Sequence, residues 1–454
     1  MKRFFQTIAL VAAFMVMSAP AWSDTYTDHV SIANNGKGDL MIFPAYFAFE
    51  GFHTKLQVTN TRNDMSAIAK VVVRSPLWSQ ELLDFFIFLT PTDVWEGYLM
   101  WSGGQPVIYS EDDSSLTSTQ PTFATPESPM QQPLVSVCDD AQIYGYVEVF
   151  LTHVFPNDVV IGGDNVNLTR APVKKADLFE AYVGDGTVDA PDAAFGFVPR
   201  AADLLGWPTN ILAGNMQIQS PLLGWSSALN AVTFKDYLIR QPQGLAETVI
   251  GDMANNNLHE VEAALARNDI GMPYIYGDEG NTFHFFNFPT KYTRLDLDEC
   301  RTANWLSEYV GFVPTDFNAA TGTWGAVRVR YETDLYDQKE IRRTGVSPIF
   351  SPAPVDANHF PYELDFFSPA VSGFEKGWVR YTLPNGPSED FNLSGDPLRY
   401  FGAPVIPFVM NFGEGGFSMM NAFYSERQVQ GISPVTGDWT NLPGYQYARF
   451  TPST

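Results

Sequence analysis

The chain has 454 residues, with 27 basic and 51 acidic side chains and a formal net charge of −24 at pH 7. Such an acidic surface repels nucleic acid and anionic lipid, which argues against both as partners. The length suggests two or three domains. Phenylalanine (35 residues), glycine (35) and proline (32) are abundant, and this composition is typical of many short strands joined by turns.

The N-terminus has the three parts of a secretory signal peptide in the expected order. Lys2 and Arg3 precede an apolar run at residues 8–17, and small residues follow before Asp24. The apolar run is too short to anchor the chain across a bilayer. We therefore predict that residues 1–23 are removed on export to the cell surface or extracellular space, with the periplasm as the alternative. No later stretch resembles a transmembrane helix, so we expect no integral membrane segment after cleavage.

The next segments predict the start of a β-sandwich. Residues 39–49 form a buried strand interrupted at Pro44, and residues 55–60 alternate between apolar and polar side chains. An Asn-rich turn leads to a strand at residues 68–73, and the apolar residues 83–89 follow. Several short strands separated by turn residues are typical of sandwich domains.

The middle of the chain is more mixed. Residues 102–134 are rich in Ser, Thr, Gln and Pro and predict a long loop or insertion, before strand residues return at 144–151. Residues 257–267 are the best helix candidate, with Asn257 as N-cap. A second short helix is predicted at residues 306–310.

Later strands are predicted at residues 327–331, 362–367, 378–383 and 405–411, and no internal repeat is visible. The predicted fold class is mainly β, with β-sandwich-like domains and one or two short helices in the middle of the chain. The predicted units are the signal peptide (1–23), an N-terminal β-sandwich-like domain (24–160), a mixed, mainly β middle region (161–345) with a short helix near 257–267, and a C-terminal β region (346–454) that packs on the rest.

Nine short segments, taken in order, carry a family resemblance. They are residues 38–46 (GDLMIFPAY), 56–61 (LQVTNT), 83–95 (LDFFIFLTPTDVW), 145–149 (GYVEV), 287–291 (NFPTK), 336–340 (YDQKE), 350–354 (FSPAP), 377–380 (GWVR) and 402–408 (GAPVIPF). Together they resemble a family of uncharacterised exported proteins of Gram-negative bacteria. The resemblance spans most of the mature chain and implies export and the same fold. That family has no assigned activity, so the resemblance supplies no catalytic residues.

The sequence has two cysteines, Cys138 and Cys300, far apart in the chain. In an oxidising compartment such a pair most often forms one disulfide. Metal binding by both is less favoured, because neither has a His or Cys at ligand spacing. We predict a Cys138–Cys300 disulfide that closes a loop of about 160 residues.

No catalytic motif is present. His259 and Glu260 begin a zincin-like pattern, but Ala263 occupies the position of the second histidine. A carboxylate pair such as Glu148 and Asp337 would suit a glycosidase, yet such pairs are expected by chance among 51 acidic residues. The sequence thus predicts no enzyme, no catalytic residues and no cofactor-binding residues.

One loop has the composition of a calcium site. Asp185, Asp189 and Asp192 place three carboxylates on a glycine-containing loop, and calcium prefers several oxygen ligands. Residues 164–167 form a second candidate. The alternative interpretation for both is a solvated polar loop.

Four tryptophans are candidates for sugar stacking or, alternatively, for core packing: Trp95, Trp101, Trp225 and Trp324. The function that these patterns favour is a self-associating structural subunit of the cell surface or extracellular space, of the surface-layer or filament type. The alternative is a periplasmic or secreted protein that binds a glycan or another small ligand. A polysaccharide-acting hydrolase is the third hypothesis.

Overall fold

The computed structural model describes most of the first half of the chain and a series of separated segments in the second half. The described residues are 30–77, 79–117, 122–136, 142–156, 174–176, 178–179, 210–237, 258–277, 280–291, 295–298, 302–305, 312–318, 323–339, 341–344, 349–350, 359–360, 362–369, 375–383, 387–391, 397–414, 416–424, 429–432 and 439–441.

The first sandwich consists of two antiparallel sheets that share one apolar core. Its strands among the described residues are β1 (Ser31–Ile32), β2 (Leu40–Phe47), β3 (His53–Asn60), β4 (Met65–Arg74), β5 (Glu81–Leu89), β6 (Val94–Ser102), β7 (Gln105–Ser110), β8 (Met130–Pro133), β9 (Tyr144–Pro156), β10 (Leu212–Ser220), β11 (Trp225–Asn230) and β12 (Val232–Lys235). Sheet I has the order β1-β12-β2-β9-β4-β5, and sheet II has the order β11-β10-β3-β6-β7-β8.

The predicted alternation places side chains as expected. In β3, Leu56 and Val58 are buried in the same core as Met41 and Phe43 of β2, while the intervening residues face outward. The predicted interruption at Pro44 is a bulge, because the pairing of β2 with β9 shifts register there. The predicted strands at 39–49, 55–60, 68–73 and 83–89 are thus confirmed.

The prediction of a long loop at residues 102–134 is wrong in part. This region contributes β7 and β8 to sheet II. Its buried serines are satisfied by local hydrogen bonds: Ser110 Oγ donates to Glu96 O, and Ser115 Oγ donates to Asp112 O. A low apolar content therefore does not exclude strands whose outer face is solvated.

The predicted helix at 257–267 is confirmed as α1 (Leu258–Leu265). Val261 and Leu265 share a core with Leu40 and Ile42 on the outer face of sheet I. Glu260 Oε2 accepts a hydrogen bond of 2.7 Å from Val30 N. Sheet I is therefore covered on both faces, which explains why β4 is buried along its whole length.

The second sandwich begins after α1 and has two principal sheets. Sheet III has the order β21-β20-β25-β14-β31 and sheet IV the order β22-β24-β15-β29-β30. β13 pairs with β28, and the remaining strands form one five-stranded and one four-stranded sheet. The strands are β13 (Ala266–Arg267), β14 (Asp269–Ile275), β15 (Asn281–Asn287), β16 (Leu295–Asp298), β17 (Thr302–Trp305), β18 (Phe312–Asn318), β19 (Thr323–Arg330), β20 (Glu332–Asp337), β21 (Arg342–Thr344), β22 (Ile349–Phe350), β23 (His359–Phe360), β24 (Leu364–Ser368), β25 (Lys376–Thr382), β26 (Pro387–Phe391), β27 (Pro397–Phe401), β28 (Ala403–Pro404), β29 (Ile406–Gly413), β30 (Gly416–Asn421), β31 (Phe423–Tyr424), β32 (Val429–Ile432) and β33 (Trp439–Asn441).

The predicted fold class is confirmed: the protein is mainly β, with antiparallel sheets packed in β-sandwich-like pairs and little helix. The first sandwich draws strands from residues up to Lys235, beyond the predicted boundary at residue 160. The predicted helix at 306–310 lies outside the described residues. In the described part of the chain, α1 is far too short to cross a bilayer, and no other helix has the required length and apolarity.

Candidate ligand-binding site

Sheet IV carries aromatic side chains on both of its faces. In β15, Phe283 and Phe285 point to one side, and His284 and Phe286 to the other. Phe286 lies in the core shared with sheet III, whereas Phe285 lies in the core of the first sandwich. Removing apolar surface from water lowers the free energy. Burial of both aromatic faces therefore holds sheet IV between sheet III and the first sandwich.

His284 links sheet IV to sheet III through hydrogen bonds involving both ring nitrogens. Its Nδ1 lies 2.7 Å from the Tyr381 hydroxyl and its Nε2 lies 2.9 Å from Pro273 O. Burial lowers the pKa of His284 to about 3, with an opposing effect of the bond to Pro273 O. The imidazole is therefore neutral at physiological pH and serves as a structural link between the two sheets.

A row of stacked rings forms the other face of sheet IV. Phe366, Phe285 and Phe408 are neighbours on three adjacent strands. The Phe285 ring centroid lies 5.2 Å from that of Phe366 and 4.7 Å from that of Phe408, with interplanar angles of 23° and 10°. Offset stacking of this kind stabilises the row beyond simple burial. The row therefore presents a rigid aromatic floor to the first sandwich.

The first sandwich contributes the turn between β2 and β3. Gly51 adopts a positive φ of +86° there, and Phe52 N donates a hydrogen bond to Phe49 O. The Phe49 and Phe52 rings lie 4.9 Å apart, and Phe47 meets Phe285 edge-on at 5.8 Å. A tight turn thus sets three phenyl rings opposite the aromatic floor.

Between these two surfaces lies a cavity of about 280 Å³, which we call the junction cavity. Its lining is Phe47, Phe49, Phe52, Ile143, Tyr144 and Ile218 from the first sandwich, and Phe283, Phe285, Phe366, Met410 and Phe412 from sheet IV. No lining residue carries a charge. Ile143 is 39% exposed and marks the opening of the cavity to solvent.

Two polar contacts hold the walls of the junction cavity in place. Asn287 Nδ2 donates a buried hydrogen bond of 3.0 Å to Pro44 O, which the bulge in β2 leaves outside the strand ladder. Tyr46 Oη donates to Gln142 O at 3.0 Å, beside the opening. Burial raises the pKa of Tyr46 well above its usual value, so its hydroxyl remains a donor. The cavity is a feature of a fixed scaffold.

The lining dictates which molecules fit. An apolar cavity of roughly 150 Å³ is enough to hold benzene, so the junction cavity has room for a larger apolar molecule. A charged ligand would lose its hydration without gaining a counter-charge, at a cost of several kcal/mol. Aromatic walls favour a ligand with a flat ring through stacking and edge contacts. The arrangement suits a small, uncharged, apolar molecule.

Most of the predicted site residues cannot be compared with this geometry. Cys138, Cys300 and the calcium candidates Asp185, Asp189 and Asp192 lie outside the described residues, as do residues 164–167. Across the described segments, no three His, Cys, Asp or Glu side chains are grouped so as to hold a metal ion. The disulfide and the calcium site stay predictions.

The carboxylate pair considered for glycoside hydrolysis does not form. Glu148 is buried in sheet I, where its Oε2 lies 2.8 Å from Arg74 Nε. Asp337 lies at the end of β20 in the second sandwich, where its Oδ1 accepts hydrogen bonds from Lys339 N and Ile341 N. Both carboxylates are committed to structural contacts in different sandwiches.

The tryptophan candidates separate into core and surface residues. Trp95 is fully buried in the core of the first sandwich, so the core-packing interpretation is confirmed for this residue. Trp225 is half-buried beside Gly416, where a Cβ would lie 3.4 Å from the indole. Trp101 is 38% exposed at the end of β6. The side chain of Trp324 lies outside the described set.

The phenylalanines of the junction cavity were not predicted as site residues. They come from distant parts of the sequence, and the turn at residues 47–52 gives no sign of its partner. The stretch from Phe283 to Phe286 did contain a usable signal, because a strand with aromatic residues at both odd and even positions must be covered on both faces.

Comparisons with protein-family models, with curated proteins and with solved structures give no match for this chain. The resemblance to exported proteins of Gram-negative bacteria stays a prediction.

Proposed function

We propose that the protein is an exported binding protein that holds a small, uncharged, apolar molecule in the junction cavity. The observation that carries this proposal is the cavity of about 280 Å³ with an entirely apolar, mainly aromatic lining. Ligand sites are typically concave, apolar and placed between structural units. The sequence alone favoured an assembly subunit, and the cavity now favours its alternative, a small-ligand binder. The proposal involves no catalytic step.

The state of the lining rings supports a ligand over simple packing. Phe47, Phe283, Phe366 and Phe412 are only half-buried although they surround the cavity. Aromatic surface left open to water costs about 25 cal/mol per Å² relative to burial. A bound apolar molecule would recover part of this free energy. Contiguous exposed apolar surface usually marks a binding site for the same reason.

The test uses N-phenyl-1-naphthylamine, a neutral dye that fluoresces when it enters an apolar site. We expect the purified protein to bind it with saturable fluorescence. Ile143→Trp narrows the opening and should weaken binding at least tenfold. Ile218→Phe fills the cavity from its buried wall and should have the same effect. The control is Ile341→Trp, which makes the same replacement as Ile143→Trp at an isoleucine that is 55% exposed and does not line the cavity.

Two results would overturn the proposal. One is the absence of saturable dye binding to the folded protein. The other is equal binding by Ile143→Trp, Ile218→Phe and Ile341→Trp, which would place the dye elsewhere. Thermal melting of each variant checks that the fold is intact.

A second candidate function is the assembly subunit that the sequence favoured. It is supported by Leu222 and Leu223, which are 84% and 48% exposed at the turn between β10 and β11. Two adjacent exposed leucines add apolar surface of the kind that marks interfaces when it is part of a larger patch. Light scattering at rising salt and calcium concentrations tests this candidate. Oligomers that disappear in a Leu222→Ser, Leu223→Ser double variant would support it, and a protein that remains monomeric throughout would remove it.

A further inference from the structure

The outer face of sheet II is polar and aromatic, and none of the residues that line its central hollow lines the junction cavity. One row of outward residues crosses five strands, because Gln217, Lys55, Tyr98, Tyr109 and Gln131 are successive register partners on β10, β3, β6, β7 and β8. Four spacings between neighbouring strands make this row about 19 Å long. We call this surface the sheet II face.

Hydrogen bonds fix the side chains of the sheet II face. Lys55 Nζ lies 2.7 Å from Glu96 Oε1, and Gln57 Nε2 donates to the same carboxylate. Tyr109 Oη donates to Glu111 Oε1 at 2.5 Å. Such preformed contacts reduce the entropy that a ligand must remove on binding. The surface is therefore organised in advance.

The centre of this face is a concavity of about 570 Å³. His53, Tyr98, Tyr109, Glu96 and Glu111 are among its lining residues. The Tyr98 ring is held between two neighbours, with His53 edge-on at 6.0 Å and Lys55 Nζ 5.8 Å from the ring centroid. Tyr109, on the adjacent strand, is half-exposed. Its ring is the surface available for stacking.

The charges decide which ligands are excluded. Three carboxylates, Glu96, Glu111 and Asp112, face the concavity; Lys55 is paired with Glu96, and Lys175 Nζ lies 3.9 Å from Asp112 Oδ1. Burial alone would raise the pKa of Glu96, but hydrogen bonds from Lys55 and Gln57 outweigh it and lower that pKa. The same ion pair raises the pKa of Lys55 against the effect of burial. The surplus of negative charge repels anionic ligands.

We propose that the sheet II face binds a neutral oligosaccharide. Carboxylates and amide side chains accept and donate the hydrogen bonds that sugar hydroxyls require. A tyrosine ring offers an apolar face to the C–H side of a sugar ring. A row of about 19 Å accommodates about three or four sugar rings, on the basis of the strand spacing. This site is independent of the proposed function, because none of its lining residues lines the junction cavity.

The test measures binding of neutral tetrasaccharides by titration calorimetry. Chitotetraose, cellotetraose and maltotetraose are the probes, and a sulfated heparin tetrasaccharide is the anionic comparison. We expect at least one neutral probe to bind and the anionic one not to bind. Tyr109→Ala should weaken binding at least tenfold, because it removes the stacking surface. Tyr109→Phe should keep it within about threefold.

The matched control is Tyr276→Ala, which removes a tyrosine of 40% exposure on the second sandwich. It should leave binding unchanged. The proposal is overturned if no neutral tetrasaccharide binds at millimolar concentration, if the anionic probe binds best, or if Tyr276→Ala weakens binding as much as Tyr109→Ala. Dye binding in the junction cavity should be the same in all these variants, so failure of one site is distinguishable from failure of the other.

Discussion

Phe285→Ala and Phe286→Ala form a matched pair that tests the two faces of sheet IV. Both phenylalanines are buried and adjacent in β15. Phe285 lines the junction cavity. Phe286 packs on Tyr381 in the core of the second sandwich, and the centroids of these two rings lie 5.0 Å apart. Replacing a buried phenylalanine with alanine typically lowers the free energy of unfolding by about 3–5 kcal/mol. We expect both variants to lose stability within that range.

A two-ring ligand should separate the two variants. Phe285→Ala enlarges a cavity that already measures about 280 Å³, so naphthalene should bind it and restore stability. At a hundred times its dissociation constant, a ligand of the native state adds about 2.7 kcal/mol. Phe286→Ala leaves only the space of one ring inside a closed core, which is too small for naphthalene. The assay is urea unfolding followed by tryptophan fluorescence, with and without saturating naphthalene.

A urea midpoint that naphthalene raises equally in both variants, or in neither, would contradict the expected difference between the two faces of sheet IV. Equal stabilisation would mean that the ligand acts outside the junction cavity. A Phe285→Ala loss below about 1 kcal/mol would also contradict the packing described here, since a buried ring cannot be removed so cheaply.

Three further predictions concern buried ionisable groups. Burial lowers the pKa of His284 to about 3 and that of His153 to about 4. In the unfolded chain both imidazoles bind a proton near pH 6.5. Lowering the pH from 7 to 5 should therefore reduce the free energy of unfolding by about 4 kcal/mol through these two histidines. Burial raises the pKa of Asp365 to about 8, against the effect of a nearby lysine. The native state therefore holds a proton that the unfolded state has lost, so the contribution of Asp365 to stability falls as pH rises from about 4 to 8. Asp365→Asn should increase the loss of stability between pH 7 and pH 5, as measured by urea unfolding at both pH values. A variant with an acid loss equal to that of the wild type would contradict this assignment. Glu148→Gln removes the buried carboxylate that pairs with the Arg74 guanidinium and should cost about 3–5 kcal/mol. Replacing both residues with methionine should recover most of that loss. A double variant as unstable as the single one would argue against this ion pair as the cause.

Parts of the fold followed directly from local sequence. The alternation from Lys55 to Asn60 fixed which side chains of β3 are buried, and Pro44 marked the bulge in β2 because it lacks a backbone donor. The helix α1 was visible from its apolar spacing. β7 and β8 have too few apolar residues to be predicted as strands, because polar residues such as Gln131 belong to the solvated face of sheet II.

The junction cavity was not predictable from the sequence in the same way. Its walls combine rings near Phe49 with rings near Phe283 and Phe412, and the stacking of whole sheets brings them together. Local sequence patterns indicate which side chains are buried, but they do not indicate which sheet covers them. The sheet II face was equally hidden, because Tyr98 and Tyr109 become neighbours only through strand register.

The contacts that join the second half of the chain to the first sandwich connect remote parts of the sequence, and this has a consequence for folding. Asn287 reaches Pro44 across 243 residues, and Glu260 reaches Val30 across 230. Folding slows when contacts depend on such distant segments. Before sheet IV packs on the first sandwich, the phenyl rings of the β2–β3 turn are exposed to water in the partly folded chain. Transiently exposed aromatic surface promotes aggregation, so the yield of refolding should fall steeply as the protein concentration rises.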